Sequence, residues 1–223
     1  SDRNYDINIS PGVFSKLLAQ GISVHPQDGS GIKEDTDYVV ISSAIEEDNQ
    51  DIKRARFGNK KIIRRANLLA EMFNPMNGIA IGGTNGKTTV SCMVGYILDY
   101  AVLSSNIITI EADESDGSIV LYTPSISVIT NVSKDHKTIE EISEMFVTLS
   151  QNTRDTLIIN ADCPYLKKIN FQHKNIVTYG LHSNATIGAK HIINKLFQSS
   201  FTVDGHSFEI NVPGIYNISN ALA

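Results

Sequence analysis

The sequence predicts an α/β fold with a mostly parallel sheet and a small antiparallel appendage. Three observations carry this. Apolar runs alternate with helical stretches from the start of the chain, as right-handed crossovers between parallel strands require. The run YVVIS at 38–42 is continuously apolar, the pattern of a strand buried on both faces. After about residue 185 the pattern changes to short alternating segments around Asp204-Gly205, which reads as a hairpin.

In chain order, Val13–Gln20 reads as a short helix ending at Gly21, and Tyr38–Ser42 as a strand. Glu47–Phe57 reads as a helix with Gly58 as its stop. Lys61–Ile63 is a short strand, and Ala66–Phe73 a helix that ends before the breaker pair Asn74-Pro75. A domain boundary is expected there, at 74–77. A second series then begins with a strand at Gly78–Gly82, a glycine-containing turn at 83–87 and a helix at Thr88–Tyr100. Further strands are expected at Asn106–Glu111, Ile126–Thr130, Leu157–Asn160 and Asn175–Tyr179. Thr138–Gln151 is an amphipathic helix with Ile139, Ile142, Met145, Phe146 and Leu149 on one face. Ser200–Val203 and Phe208–Val212 form the arms of the hairpin.

The bulk properties narrow the function. The 223 residues, 41% of them apolar, suffice for more than one domain core. A net charge of -5 with mixed signs argues against a nucleic-acid backbone as the main partner, which would favour a basic patch. Phosphate groups remain open as ligands, because backbone N–H groups and one or two cations can hold them locally. Cys92 and Cys163 form no CxxC pair and read as free thiols in a reducing cytosol. No apolar run approaches the roughly 18 residues of a membrane span, and the polar start SDRNYDINIS is no signal peptide. A cytoplasmic protein without membrane or nucleic-acid partners is expected.

The strongest local signal is IAIGGTNGKTT at 79–89. An apolar strand runs into Gly83, Thr84, Asn85, Gly86, Lys87, Thr88 and Thr89, and an apolar helix follows, the context of a phosphate-binding loop. The glycines let successive N–H groups point into one cavity, and the helix N-terminus adds a positive dipole end. Lys87 can bridge terminal phosphates, and the Thr88 hydroxyl can ligate Mg²⁺. The match to GxxxxGK[ST] is incomplete, since the first glycine would fall at Ile81. The competing reading is a glycine-rich turn with an exposed lysine.

After the next apolar strand come four carboxylates, Glu111, Asp113, Glu114 and Asp116. Ligands of doubly wound sheets bind at carboxyl ends of strands, and carboxylates beside a triphosphate suit Mg²⁺. A solvated acidic loop is the alternative. His136, just past another apolar strand, is a candidate second metal ligand or phosphate contact. The remaining histidines have no such context.

GTNGKTT, EADESD, TNVSKDH and PGIYNISNALA, in that order, resemble the Mur ligases. VVISSAI at 39–45 and RRANLLAEM at 64–72 extend the resemblance and are similar to the alanine-adding branch. The resemblance implies a partial Rossmann-like, UDP-binding N-terminal domain at 1–75 and a central ATP-binding domain at 76–223. It also implies a third domain beyond the end of this sequence, so a fragment is expected that binds nucleotide but does not ligate alone. The implied substrates are UDP-N-acetylmuramate and L-alanine, with ATP and Mg²⁺. The implied chemistry is phosphorylation of the substrate carboxylate, then attack by the amino group. By resemblance, Lys87 contacts the β/γ-phosphates, Thr88 and Glu111 hold one Mg²⁺, and His136 a second. Asn131 and Asn217 lie near the nucleotide base, and Asp113, Glu114 and Ser115 near the substrate carboxylate.

Two positions depart from the alanine-adding pattern: Asn85 stands where His is usual, and Tyr216 where the late motif has His. Asp99–Ser105 is shorter than the substrate-contacting excursion the resemblance implies, so a break in the backbone is expected between about Ala101 and Ser104. The competing functions are a tripeptide-recycling ligase, a folylpolyglutamate synthase and a non-catalytic nucleotide-binding protein. Residues 36–72 argue against the folate enzyme, and intact Lys87, Glu111 and His136 against loss of catalysis.

Overall fold

Pro11 opens the first helix, α1 (Pro11–Ala19), where its missing N–H costs nothing. Gly21, at φ +78°, closes it: Gly21 N donates to Leu18 O at 3.0 Å and Ile22 N to Leu17 O at 3.0 Å. That pair of hydrogen bonds is a Schellman stop. This computed structural model describes residues 11–101, 106–134, 137–182 and 184–223. His136 and the expected break between Ala101 and Ser104 lie outside the described residues.

The chain divides into two compact units, Ser1–Leu68 and Leu69–Ala223. In the first, β1 (Tyr38–Ile41) pairs in parallel with β2 (Lys61–Arg64). Between them runs α2 (Gln50–Phe57), whose N-cap Asn49 accepts from Asp51 N at 2.8 Å. That cap delays the helix past the expected start at Glu47. Val39, Ile63, Ile52 and Ala55 are buried. Tyr38 and Val40 are 56% and 45% exposed, so YVVIS is not a strand buried on both faces. Among the described residues this sheet has two strands, and the crossover helix α2 covers one face.

The division falls within α3 (Arg65–Phe73), a few residues before Asn74-Pro75. The second unit is built on six parallel strands: β3 (Asn77–Gly82), β4 (Ile107–Glu111), β5 (Ile126–Ile129), β6 (Thr156–Asn160), β7 (Ile176–Gly180) and β8 (Ile187–Gly188). Their spatial order is β4-β3-β5-β6-β7-β8. Helix α4 (Lys87–Ala101) links β3 to β4 on one side, and the chain then returns to place β5 on the other. The strand order therefore reverses at the carboxyl end of β3, where doubly wound sheets bind ligands.

Neighbouring residues on these strands face opposite cores. Ala80 and Ile129 belong to one core with Phe73, Tyr122, Phe146 and Leu157; Ile81 and Val128 belong to the other with Tyr179, Ile218 and Leu222. Helix α5 (Ile139–Asn152) supplies Ile142, Phe146 and Leu149 to the first core. Its Thr138–Glu141 capping box fixes where it starts. Gly78 is required by packing, since a Cβ there would sit 2.2 Å from the Phe73 ring.

The appendage is a three-stranded antiparallel sheet of β9 (Lys190–Asn194), β10 (Ser199–Val203) and β11 (His206–Ile210). Asp204 and Gly205 both have positive φ, which suits the tight turn between β10 and β11. The last helix, α6 (Ile215–Leu222), buries Ile218 and Leu222 in the second core.

Candidate active site

The loop between β3 and α4 is Gly83-Thr84-Asn85-Gly86, and Thr84 and Asn85 are held from behind. The apolar run of β3 carries the chain to the switch point, where Gly83 turns it at φ +130° and Gly86 at φ +90°. Those angles favour glycine, and neither position has room for a side chain. A Cβ on Gly83 would lie 2.0 Å from Thr130 Oγ1, and one on Gly86 would lie 2.6 Å from Asn220 Oδ1.

The end of β5 braces the loop. Thr84 N donates to Asn131 O at 3.1 Å, and Asn85 N to Asn131 Oδ1 at 3.0 Å. Asn131 Nδ2 and Thr130 Oγ1 both donate to Asn85 O, at 2.8 and 2.7 Å. Ser133 N donates to Thr84 Oγ1 at 3.0 Å. Asn131 thus engages two loop amides, one through its carbonyl and one through its side chain, and fixes the loop's shape. Helix α4 begins where Val90 N donates to Gly86 O at 2.9 Å. The amides ahead of Val90 have no partner within the helix and make its N-terminus the anion-attracting end.

Lys87 and Thr88 open α4 and meet the acidic segment after β4. The Lys87 ammonium donates to Gly83 O at 2.8 Å and to Glu114 Oε1 and Oε2 at 3.3 and 3.0 Å. Asp113 Oδ1 lies 3.7 Å from it. Thr88 Oγ1 donates to Glu111 Oε2 at 3.0 Å. Both Thr88 and Glu111 are exposed, so this oxygen pair is open to solvent at the loop mouth. Partial burial of Asp113 works against its ionised form. Hydrogen bonds from Ser115 and the nearby Lys87 ammonium outweigh it and hold the carboxyl below the usual range.

The structure thus gathers Gly83, Thr84, Asn85, Gly86, Lys87, Thr88, Glu111 and Asn131 around one loop; Thr89 follows on the first turn of α4. Asn217 stands on α6, where its Nδ2 donates to Pro213 O at 2.7 Å. It reaches the loop through Asn220, whose Nδ2 donates to Asn217 Oδ1 at 3.5 Å. Glu114 departs most from expectation: it is buried and paired with Lys87. Sequence reading also missed Thr130, Ser133 and Asn220 as braces. The spacing of Asn217 and Asn220, three apart on one helix face, was the available signal for the last.

Residues 112–223 match the Mur ligase middle domain, and residues 5–76 the Mur ligase family catalytic domain. A UDP-N-acetylmuramate–L-alanine ligase from Pelobacter propionicus is 34% identical over 85% of this chain and 48% of its own length. The chain therefore spans about half the length of such relatives. In fold it is similar to a UDP-N-acetylmuramate–alanine ligase from Thermotoga maritima, with TM-score 0.80 and 23% identity over 93% of this chain and 54% of that one. It is equally similar to a UDP-N-acetylmuramate:L-alanyl-gamma-D-glutamyl-meso-diaminopimelate ligase from Neisseria meningitides. That match has TM-score 0.81 and 20% identity over 95% of this chain and 80% of that one. Among the described residues no helix is long and apolar enough to cross a membrane. With two of the family's domains matched in order and the braced loop at the switch point after β3, the chain belongs to the Mur ligase family.

Proposed function

We propose that this chain carries the nucleotide-sugar-binding region, 1–75, and the ATP-binding region, 76–223, of a cytoplasmic UDP-N-acetylmuramate–L-alanine ligase of peptidoglycan precursor synthesis. The observation that supports this best is the convergence of the Lys87 ammonium and the Thr88–Glu111 pair on a preformed amide loop. The name of the 34% identical relative favours the alanine-adding reaction over tripeptide recycling.

In this reading ATP gives its γ-phosphoryl group to the substrate carboxylate, leaving ADP and an acyl phosphate. The amino group of L-alanine then attacks the acyl carbon, phosphate leaves, and the amine loses a proton. Both steps place negative charge on transferring oxygens, so positioned cations and amides do most of the catalysis. Lys87 and the amides at the start of α4 hold the phosphates, while Thr84 N and Asn85 N, bonded to Asn131, keep the loop in shape. Asn217 and, through its contact with the loop, Asn131 lie on the side assigned to the base.

Mg²⁺ fits the donor set, because the Thr88 hydroxyl and Glu111 carboxylate supply the oxygen ligands it prefers. Bound there, it would neutralise charge on the terminal phosphates. His136 is assigned to a second ion on its position just past an apolar strand of the sequence and on the family resemblance. Titration of the full-length enzyme with ADP should show one site whose affinity rises with Mg²⁺. Glu111→Gln should raise the Mg²⁺ concentration for half-maximal turnover by on the order of tenfold or more, the least that losing an inner ligand costs. An unchanged Mg²⁺ requirement would remove Glu111 from the metal site.

A further inference from the structure

We propose that Glu114 is a positioning residue that fixes the Lys87 ammonium for phosphoryl transfer. This deepens the ATP-site reading and rests on it. Glu114 is a carboxylate with a side chain only 7% exposed, facing a lysine only 16% exposed. Such a buried charge is retained only when paired, and here the pair lies beside the phosphate loop, with Lys87 bonded to Gly83 O.

The turn that carries Glu114 is closed by its own backbone and side chains. Ser115 N donates to Asp113 Oδ1 at 3.0 Å, Ile119 N to Asp113 O at 3.1 Å, and Gly117 N to Glu114 O at 3.2 Å. Gly117 makes the bend at φ +74°. The carboxylate is therefore set by rigid backbone and is too buried to swing into solvent. Lys87 is the flexible partner, because its four-carbon stem would otherwise let the ammonium wander.

The donor count shows what the pair achieves. An ammonium has three N–H donors. One reaches Gly83 O, and one is shared by the two oxygens of Glu114. Asp113 Oδ1, at 3.7 Å, is beyond hydrogen-bond reach. The third donor is left for a phosphate oxygen, on a nitrogen held from two sides. The pairing also offsets part of the lysine's charge, so ground-state attraction for nucleotide is reduced while the geometry for the transferring phosphoryl group is kept. Interactions of that kind act on kcat rather than on binding.

The test uses the full-length enzyme and compares wild type, Glu114→Gln, Glu114→Asp, Lys87→Ala and the double variant Lys87→Ala/Glu114→Gln. ADP affinity is read by calorimetry, and kcat and KM for ATP by phosphate release. Glu114→Gln should lower kcat by about 10²-fold, the scale of a misplaced catalytic group, while ADP affinity is kept or raised. Glu114→Asp should recover part of the loss. In the Lys87→Ala background, Glu114→Gln should lower kcat no further, because the two act as one unit. An unchanged or raised kcat in Glu114→Gln would overturn the proposal and make the pair a latch that phosphate releases. An equal further loss in the Lys87→Ala background would assign Glu114 a purely structural role. Should Glu114→Gln not fold, Glu114→Asp decides: a fall in kcat at constant ADP affinity supports the proposal, and no change overturns it. Wild type that neither binds ADP nor ligates would instead overturn the ATP-site reading on which the proposal rests.

Discussion

Lys87→Ala in the full-length enzyme is expected to lower kcat by at least roughly 10²-fold, the loss that follows removal of one key electrostatic donor. At a loop mouth such a change would ordinarily leave stability alone. Here it strands the buried Glu114 carboxylate without its cation. Removing one partner of a buried pair costs about 3 kcal/mol, so the Tm should fall as well. Lys87→Ala/Glu114→Gln separates the two effects. It should regain much of the lost Tm, because no buried charge is left unpaired, and none of the lost turnover. Thermal unfolding and phosphate-release kinetics on the same preparations check both. Near-normal turnover in Lys87→Ala would remove this lysine from the phosphate site.

Gly83→Ala should be more damaging to structure than any other single change in the loop. The new Cβ would meet Thr130 Oγ1 at 2.0 Å and Asn131 N at 3.0 Å, at a φ of +130° that L-residues avoid. Thr130 cannot yield cheaply, since it is buried and its hydroxyl donates to Asn85 O at 2.7 Å, with Gly82 O 3.2 Å away. Backbone strain plus overpacking should cost roughly 3 kcal/mol or more, and ADP binding should be lost with the loop's shape. Gly95→Ala is the matched control. Position 95 lies within α4, and an added methyl group there would meet nothing within 4 Å. Removing a helical glycine should stabilise by about 0.5–1 kcal/mol and leave ADP affinity unchanged. Equal Tm and ADP affinity for Gly83→Ala and wild type would contradict the packing described for the loop.

The loop and Glu111 were legible because their signals are local. A strand, two turn glycines, a lysine and a threonine follow one another within a dozen residues, and a carboxylate ends the next strand. The alternation of crossover helices and apolar runs made the parallel sheet legible in the same way, since period and run length are properties of single segments. What sequence could not give depends on distant partners. Glu114 reads as one of four exposed acids, and only the turn closed by Asp113 and Gly117 aims it inward at Lys87. Asn220 meets Gly86 only because α6 packs in the second core through Ile218 and Leu222. YVVIS has the composition of a fully covered strand, yet coverage depends on the elements around it, and here α2 covers one face. The two-residue β8 carries too few residues to show a period.

The most direct test of the central claim is a product assay on the full-length enzyme with ATP, Mg²⁺ and UDP-N-acetylmuramate, offering L-alanine or the L-alanyl-γ-D-glutamyl-meso-diaminopimelate tripeptide. The account predicts ATP-dependent formation of UDP-N-acetylmuramoyl-L-alanine, with one ADP and one phosphate released per amide bond and little use of the tripeptide. Exclusive ligation of the tripeptide would move the chain to the recycling reaction, and no ATP-dependent ligation of either would contradict the proposed function.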